Sequence, residues 1–542
     1  MPLKKNDLIK LDIESITIEG NGIGKFEGMI IFVPNAGLND KLLVKILKVK
    51  KNYAYAKIEE ILFRSEDRID IDCDVYLKCG GCRLRHISYE AELKIKEKKV
   101  RDSLERIGKI FDAKINPIVG AKNLNFYRNK AQIPIGKNSN GDYILGFFAP
   151  NTHRIVECSS CFLQPLEFNN IMKIFLRWLN LVKPSVYDEK TGIGLLRHLY
   201  LRKAQKTNEI MVCIVINGNN LPKSEELIKL LIDNEPNIKS ICVNVNKEKT
   251  NVILGKKTFV IYGREYIEDV LCGLKFRISP ESFYQVNRDQ AEKLYGIARK
   301  YANLKKTDTL FDLYCGTGTI GLTMAGDCKN LLGVEIVPKA IENARKNAFI
   351  NDIKNAKFIC EDVKNLKIAD LKPDVVVIDP PRKGCSIDLI NAISYMAPKR
   401  LVYVSCDPST LARDLNLFME KDYEIIEVTP VDMFPRTGHV ETVVQLVRKK
   451  PDTYIDITVD MDELDLTSSE AKATYDEIKD YIFDKYRVKV SSLYVAQVKQ
   501  KHGIIERDCY NNSKKENSNQ PQCPPEKIKL IEEALRHFKM IS

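Results

Sequence analysis

The stretch from Thr309 to Leu322, TLFDLYCGTGTIGL, constrains this chain more than any other. A hydrophobic run leads into Gly316-x-Gly318-x-x-Gly321 and on into apolar residues at helical spacing. Glycines there permit a tight turn and let a ligand approach the backbone where the helix begins. Placed between a strand and a helix, the pattern selects a doubly wound α/β fold. The next two strands carry acids at their C-terminal ends. NLLGVEIV brings Glu335 19 residues beyond Gly316, where a carboxylate accepts hydrogen bonds from both hydroxyls of an adenosyl ribose. AKFICED brings Asp362 to the place that meets an adenine amino group.

NAD and S-adenosylmethionine both fit this arrangement, and the fourth strand separates them. DVVVIDPPRKG ends in Asp379-Pro380-Pro381-Arg382, a rigid turn that presents polar groups at the C-terminal edge of the sheet. It resembles the acidic-or-amide-Pro-Pro motif of methyltransferases that act on bases, and it argues against a dehydrogenase. The fifth strand, Leu401 to Val404, is followed by Ser-Cys-Asp-Pro and then a helical pattern, so Cys406 lies at the same edge. A cysteine there is either core filler or a nucleophile. Glu441, in PRTGHVETVVQL, begins a strand, and with Cys406 it would flank a bound substrate.

At 542 residues the chain exceeds one core. Residues 1–60 alternate in short strand-like pieces around Gly20, Gly22, Gly24 and Gly37, the pattern of a small OB-type β-barrel, which is a common nucleic-acid module or else a barrel that binds nothing. Residues 61–275 read as a central α+β domain and 276–450 as the doubly wound domain. Residues 451–542 read as an acidic linker plus a small helical extension carrying a polar insert, NNSKKENSNQPQ. The net charge of +12 is unevenly spread: residues 91–140 hold 12 Lys and Arg against 5 Asp and Glu, and residues 451–470 hold seven acids and no base. The basic segment, an exposed helix followed by Phe126-Tyr127-Arg128, suits phosphate contacts and base stacking, with packing of the two aromatics as the alternative. There is no apolar run of membrane-spanning length and no signal-type leader, so a cytoplasmic protein is expected, with no motif that demands a protein partner.

In such a compartment 15 cysteines point to metal binding or catalysis rather than disulfides. Cys73-x5-Cys79-Gly-Gly-Cys82, with Cys161 further on, supplies four thiolates, and the spacing alone fits zinc or an iron–sulfur cluster. Cys158 competes for the fourth position. Cys213, Cys242 and Cys272 lie in apolar strands and read as core, and Cys315 reads as packed in the glycine loop.

Taken in order, SFYQVN, DLYCGTGTIG, DPPRKG, SCDPSTLARD and GHVETV resemble the RNA uracil-5 methyltransferase family. The resemblance covers residues 276–447 closely and roughly 1–450 in all. It implies S-adenosylmethionine as methyl donor and Cys406 as the nucleophile. It implies Glu441 as the base, and Gln285, Tyr314, Glu335 and Asp379 as donor-site residues beside Gly316, Gly318 and Asp362. It also implies a [4Fe–4S] cluster on Cys73, Cys79, Cys82 and Cys161, and an N-terminal TRAM barrel. Barrel and cluster together imply 23S rRNA, with a flipped-out uridine, rather than tRNA; an inactive RNA-binding assembly factor is the remaining alternative. Asp407 departs from the family's frequent Asn, and its charge beside the thiol either raises the thiol's pKa or is neutralised by a residue such as Arg413.

Overall fold

The computed structural model describes residues 3–363, 372–449, 473–502, 504 and 523–541. It forms two compact units, residues 1–450 and 451–542. The acidic linker and the polar insert anticipated above lie outside the described residues.

The first unit begins with β1 (Leu8–Asp12), β2 (Ser15–Ile16), β3 (Asn21–Phe26), β4 (Met29–Pro34), β5 (Lys41–Val49) and β6 (Tyr53–Phe63), in the order β1-β5-β6-β4-β3-β2. Alternation puts one side of each strand inside: Ile9, Leu11, Ile31, Val33, Val44, Ile46 and Ala54 are buried together. α1 (Tyr89–Arg106) starts at Ser88, whose side chain accepts from the Ala91 amide. The helix expected to be exposed is exposed on one face only. Val100 and Leu104 are buried in a core shared with Leu411, Leu415 and Phe418 of the C-terminal sheet's outer layer.

A mixed sheet follows, with β7 (Lys130–Lys137), β8 (Tyr143–Phe148), β9 (Ile155–Glu157), β10 (Leu196–Lys203), β11 (Ile210–Ile216), β12 (Ile238–Val245) and β13 (Lys257–Gly263). α2 (Leu166–Val182) and α3 (Ser224–Asn234) share its core, which holds the single Trp, Trp178. A hairpin, β14 (Ile267–Leu271) and β15 (Leu274–Ile278), leads into the last domain. Cys272 sits in its turn with φ 51° and is exposed, so it is not the core residue its apolar neighbours suggested. Cys213, Cys242 and Cys315 are buried.

After α4 (Arg288–Ala302) come β16 (Thr309–Leu313), α5 (Thr319–Met324), β17 (Asn330–Glu335), α6 (Pro338–Ile350), β18 (Ala356–Cys360), β19 (Val375–Ile378), α7 (Ile387–Met396), β20 (Arg400–Ser405), α8 (Pro408–Met419), β21 (Tyr423–Val431) and β22 (Glu441–Arg448). The sheet order is β18-β17-β16-β19-β20-β22-β21. The α/β alternation predicts a doubly wound parallel sheet, and β16–β20 pair in parallel, but β22 runs antiparallel to both its neighbours. That reversal is what brings the first residue of β22 to the edge where the parallel strands end.

The second unit consists of α9 (Tyr475–Tyr486), α10 (Ser492–Lys501) and α11 (Pro525–His537), each packed on the other two. Ile478, Ile482, Val495, Ile531 and Leu535 form its core. Among the described residues no helix is long and apolar enough to cross a membrane.

Candidate active site

The glycine loop adopts the conformation its sequence demands. Gly318 has φ +81°, in the left-handed region. A Cβ on Gly321 would stand 2.6 Å from Asp312 Oδ2, which accepts the Gly321 amide at 2.8 Å; the third glycine is thus needed for the helix to sit against the strand. Tyr314 holds φ 63°, a conformation costly for a non-glycine residue and found where a ligand site fixes the backbone. Glu335 accepts from the Gly316 amide at 3.3 Å and the Val337 amide at 3.0 Å, so its carboxylate is aimed at the loop.

One cavity of about 950 Å³ gathers Gln285, Tyr314, Gly316, Glu335, Asp362, Asp379, Cys406 and Glu441 in its wall. Of the anticipated donor and catalytic residues only Gly318 lies behind the lining, as the residue that caps α5. Ser405 pairs with Thr442 at the end of the β20–β22 ladder. Cys406 and Glu441 are the next residues outward, so they stand at two adjacent strand ends, and both line the cavity. Asp379 follows Ile378, which pairs with Tyr403 on β20, and completes the row.

Burial dominates the electrostatics of the site. Glu441 is 4% exposed; burial above all, then Asp379, pushes its carboxyl up to about 8, while Arg382 pulls it down. Burial pushes Asp379 up to about 7. The Cys406 thiol is pushed up to about 11 by burial, Glu441 and Asp379, and drawn down by Arg382. Arg382, within the DPPRKG motif, is the cation that favours both ionised forms, and the sequence reading gave it no role. His439 also lines the cavity, kept neutral by burial with its pKa lowered to about 4.

Asp407 is engaged by the helix that follows it. Its carboxylate accepts from the Ser409 and Thr410 amides at 2.9 and 3.0 Å and caps α8. Arg413 does not neutralise it, because its guanidinium grips Asp414 at 2.7 Å.

A second cavity, of about 150 Å³, is lined by Cys73, Cys79, Cys82, Cys158 and Cys161. Cys158 is buried with its Sγ 3.1 Å from the Ser160 carbonyl; the other four are partly exposed. Burial pushes Cys79, Cys82 and Cys161 upward, and each is raised further by neighbouring thiols of the set. Such thiols ionise together only when a positive group compensates them, which is what a metal centre would have to supply to this donor set. Among the described residues no three His, Cys, Asp or Glu side chains are arranged to hold a metal ion. Gly81 and Arg128 line both cavities, so the Cys-Gly-Gly-Cys loop is a shared wall. Beside it Tyr127 is buried, donating to the Pro435 carbonyl at 2.9 Å, and Phe126 packs on Phe162; Tyr127 is therefore a packing residue, not a stacking platform.

A β-barrel followed by this α/β sheet, glycine loop and cavity defines an S-adenosylmethionine-dependent RNA methyltransferase. Residues 88–449 match the family described as tRNA (Uracil-5-)-methyltransferase, and residues 3–58 match the TRAM domain. An uncharacterised RNA methyltransferase of Clostridium acetobutylicum is 44% identical over 83% of this chain and 98% of its own length. One from Staphylococcus aureus is 43% identical over 81% and 98%. The solved tRNA (uracil-54, C5)-methyltransferase of Pyrococcus abyssi, in complex with S-adenosyl-L-homocysteine, superposes with a TM-score of 0.65 at 28% identity, covering 81% of this chain and all of that one. The chain belongs to the tRNA (uracil-5-)-methyltransferase family.

Proposed function

We propose that the protein methylates carbon 5 of a uridine in 23S rRNA, with Cys406 as nucleophile and Glu441 as base. The observation that carries this is the placement of Cys406 and Glu441 on adjacent strand ends in one cavity with Asp379 and the glycine loop. Carbon 5 of uracil is a weak nucleophile. Addition of the Cys406 thiolate to carbon 6 turns the ring into an enolate, whose carbon 5 can form the new carbon–carbon bond. Bound S-adenosylmethionine supplies the electrophilic methyl group on its sulfonium. Glu441 then takes the carbon-5 proton, the carbon 6–sulfur bond breaks, and its electron pair returns to sulfur. Gln285, Tyr314, Gly316, Gly318, Glu335, Asp362 and Asp379 form the donor site, and the target base leaves its stack to enter. RNA containing 5-fluorouridine should trap a covalent adduct, because fluorine cannot leave as a proton does. An adduct formed equally by Cys406→Ser would remove Cys406 from this role.

We assign Cys73, Cys79, Cys82 and Cys161 as ligands of a [4Fe–4S] cluster, with zinc as the alternative. Their convergence on one cavity supports the set, and the engagement of the Cys158 sulfur with Ser160 favours Cys161 as the fourth ligand. Iron and sulfide near four per chain would support the cluster; one zinc and no iron would replace it.

Transfer RNA is the second reading. The Pyrococcus enzyme acts on tRNA and aligns over 81% of this chain, a larger share than residues 88–449, so the barrel does not by itself favour rRNA. Methylation of undermodified total RNA with labelled donor, followed by mapping, separates the two. Label confined to tRNA would overturn the 23S assignment, and no label in either would favour an assembly factor.

A further inference from the structure

The relatives 42–45% identical to this chain are covered over 97–99% of their own length by 81–83% of this one. The family match ends at residue 449. Residues 473–541 therefore hold a unit outside what those relatives share, and none of the chemistry above uses it.

We propose that this unit is an RNA-docking module that grips the phosphate backbone of structured RNA. Its architecture comes first. Thr474 and Glu477 form a reciprocal capping box at the start of α9. Residues 487–491 then join α9 to α10, and α11 closes the core beneath both. Two helices joined by a short turn and braced by a third make a compact three-helix unit that presents the turn to solvent.

Charge chooses the face. From Lys485 to His502 the chain carries Lys485, Arg487, Lys489, Lys499 and Lys501 and no Asp or Glu. Three of these are engaged within the unit: Lys485 pairs with Glu533, Lys501 pairs with Glu532, and Lys499 is buried over the Tyr475 ring. Arg487 and Lys489 remain on the turn, 5.6 and 5.7 Å from the ring of Phe483, which is 37% exposed. Among the described residues the carboxylate nearest Arg487 is Asp484, in an exposed contact of 3.9 Å. Lys527 of α11 joins them: its Nζ donates to the Lys489 carbonyl at 3.0 Å and lies 5.8 Å from the Tyr494 ring. Among the described residues no carboxylate pairs with Lys489 or Lys527. Cations interleaved with accessible rings suit phosphates and unstacked bases. The partner is RNA rather than duplex DNA because the catalytic unit belongs to an RNA-modifying family. Since the A-form major groove is too deep and narrow for a helix to read, the contact is to the backbone and to looped bases.

The test compares full-length protein with Lys489→Glu/Lys527→Glu and with the milder Arg487→Gln/Lys489→Gln. Affinity for a large-subunit rRNA transcript is measured by fluorescence anisotropy from 50 to 200 mM KCl. Both variants should keep their helical circular dichroism. The charge-reversed pair should bind roughly tenfold more weakly, with a log K against log salt slope shallower by about 1–2. Lys479→Glu, at a residue that contacts Asp476 and Ser492, should change neither. Turnover on a saturating short uridine stem-loop should be unaffected, which separates failure of this proposal from failure of the catalytic one. Unchanged affinity and slope in both variants, or tighter binding to duplex DNA than to RNA of equal length, would overturn it.

Discussion

The ammonium of Lys96 lies 2.6 Å from the carboxylate of Asp432, 336 residues away, with both side chains wholly removed from solvent. Lys96 also donates to Glu92 at 2.7 Å and to the Phe434 carbonyl at 3.1 Å. Tyr89 donates to Asp432 at 2.7 Å, and the Arg436 amide donates to Glu92 at the same distance. Arg436 in turn accepts from the Arg83 and Leu84 amides, next to Cys82. The basic helix α1, the cysteine loop and the segment leading to Glu441 are thereby tied through one buried ionic knot.

Removing its cation should therefore be severe. Lys96→Met removes the ammonium shared by two buried carboxylates, leaving Arg436 at 3.7 Å from Glu92 as the remaining cation, and should cost about 3–5 kcal/mol. Urea denaturation measures this. Adding Glu92→Gln and Asp432→Asn should restore most of the loss; no recovery would mean that packing, not charge, dominates.

Alkylation should report the Cys406 environment. With the thiol pushed up to about 11, iodoacetamide labelling of the Cys406 peptide should rise about tenfold per pH unit through pH 7–10, following the thiolate fraction. Asp379→Asn and Glu441→Gln should shift the profile to lower pH and Arg382→Ala to higher pH, as read by peptide mass spectrometry. An unperturbed midpoint near the ordinary thiol value would contradict the geometry.

Glu441 should limit stability at high pH. Folding raises its pKa from 4.5 to about 8, so the native state holds a proton that the unfolded chain has released. Its contribution is fully present below pH 4.5 and is lost as pH rises through 8. Glu441→Gln should stabilise the fold at pH 8 by about 4 kcal/mol, read as a higher Tm, and change little at pH 4.5, while abolishing turnover. Equal Tm values at both pH values would show that the carboxyl is not buried as described.

Asp407 should behave as a helix cap. Asp407→Asn keeps an acceptor for the Ser409 and Thr410 amides and should leave the Cys406 labelling profile in place, whereas Asp407→Ala should cost about 1 kcal/mol. A large shift in thiol reactivity on Asp407→Asn would restore the charge effect the sequence suggested.

The strand-loop-helix at Gly316, the edge positions of Glu335, Asp379 and Cys406, and the alternating barrel strands were legible in the sequence. Each follows from local rules: hydrophobic period, glycine conformation, and the fact that parallel strands end on one edge. Those rules do not reach across the chain. The antiparallel run of β22, which sets Glu441 opposite Cys406, depends on pairing with β20 and β21. Arg413 belongs to Asp414, Cys272 stands in an exposed turn, and Tyr127 is buried beneath Pro435, none of which residue type alone could decide. The sequence by itself determined the fold class and the chemical groups at the sheet edge, because both are written in short-range pattern. Only the tertiary structure decided which charges meet, as at Lys96 and Asp432, because burial and partner choice are properties of residues hundreds of positions apart.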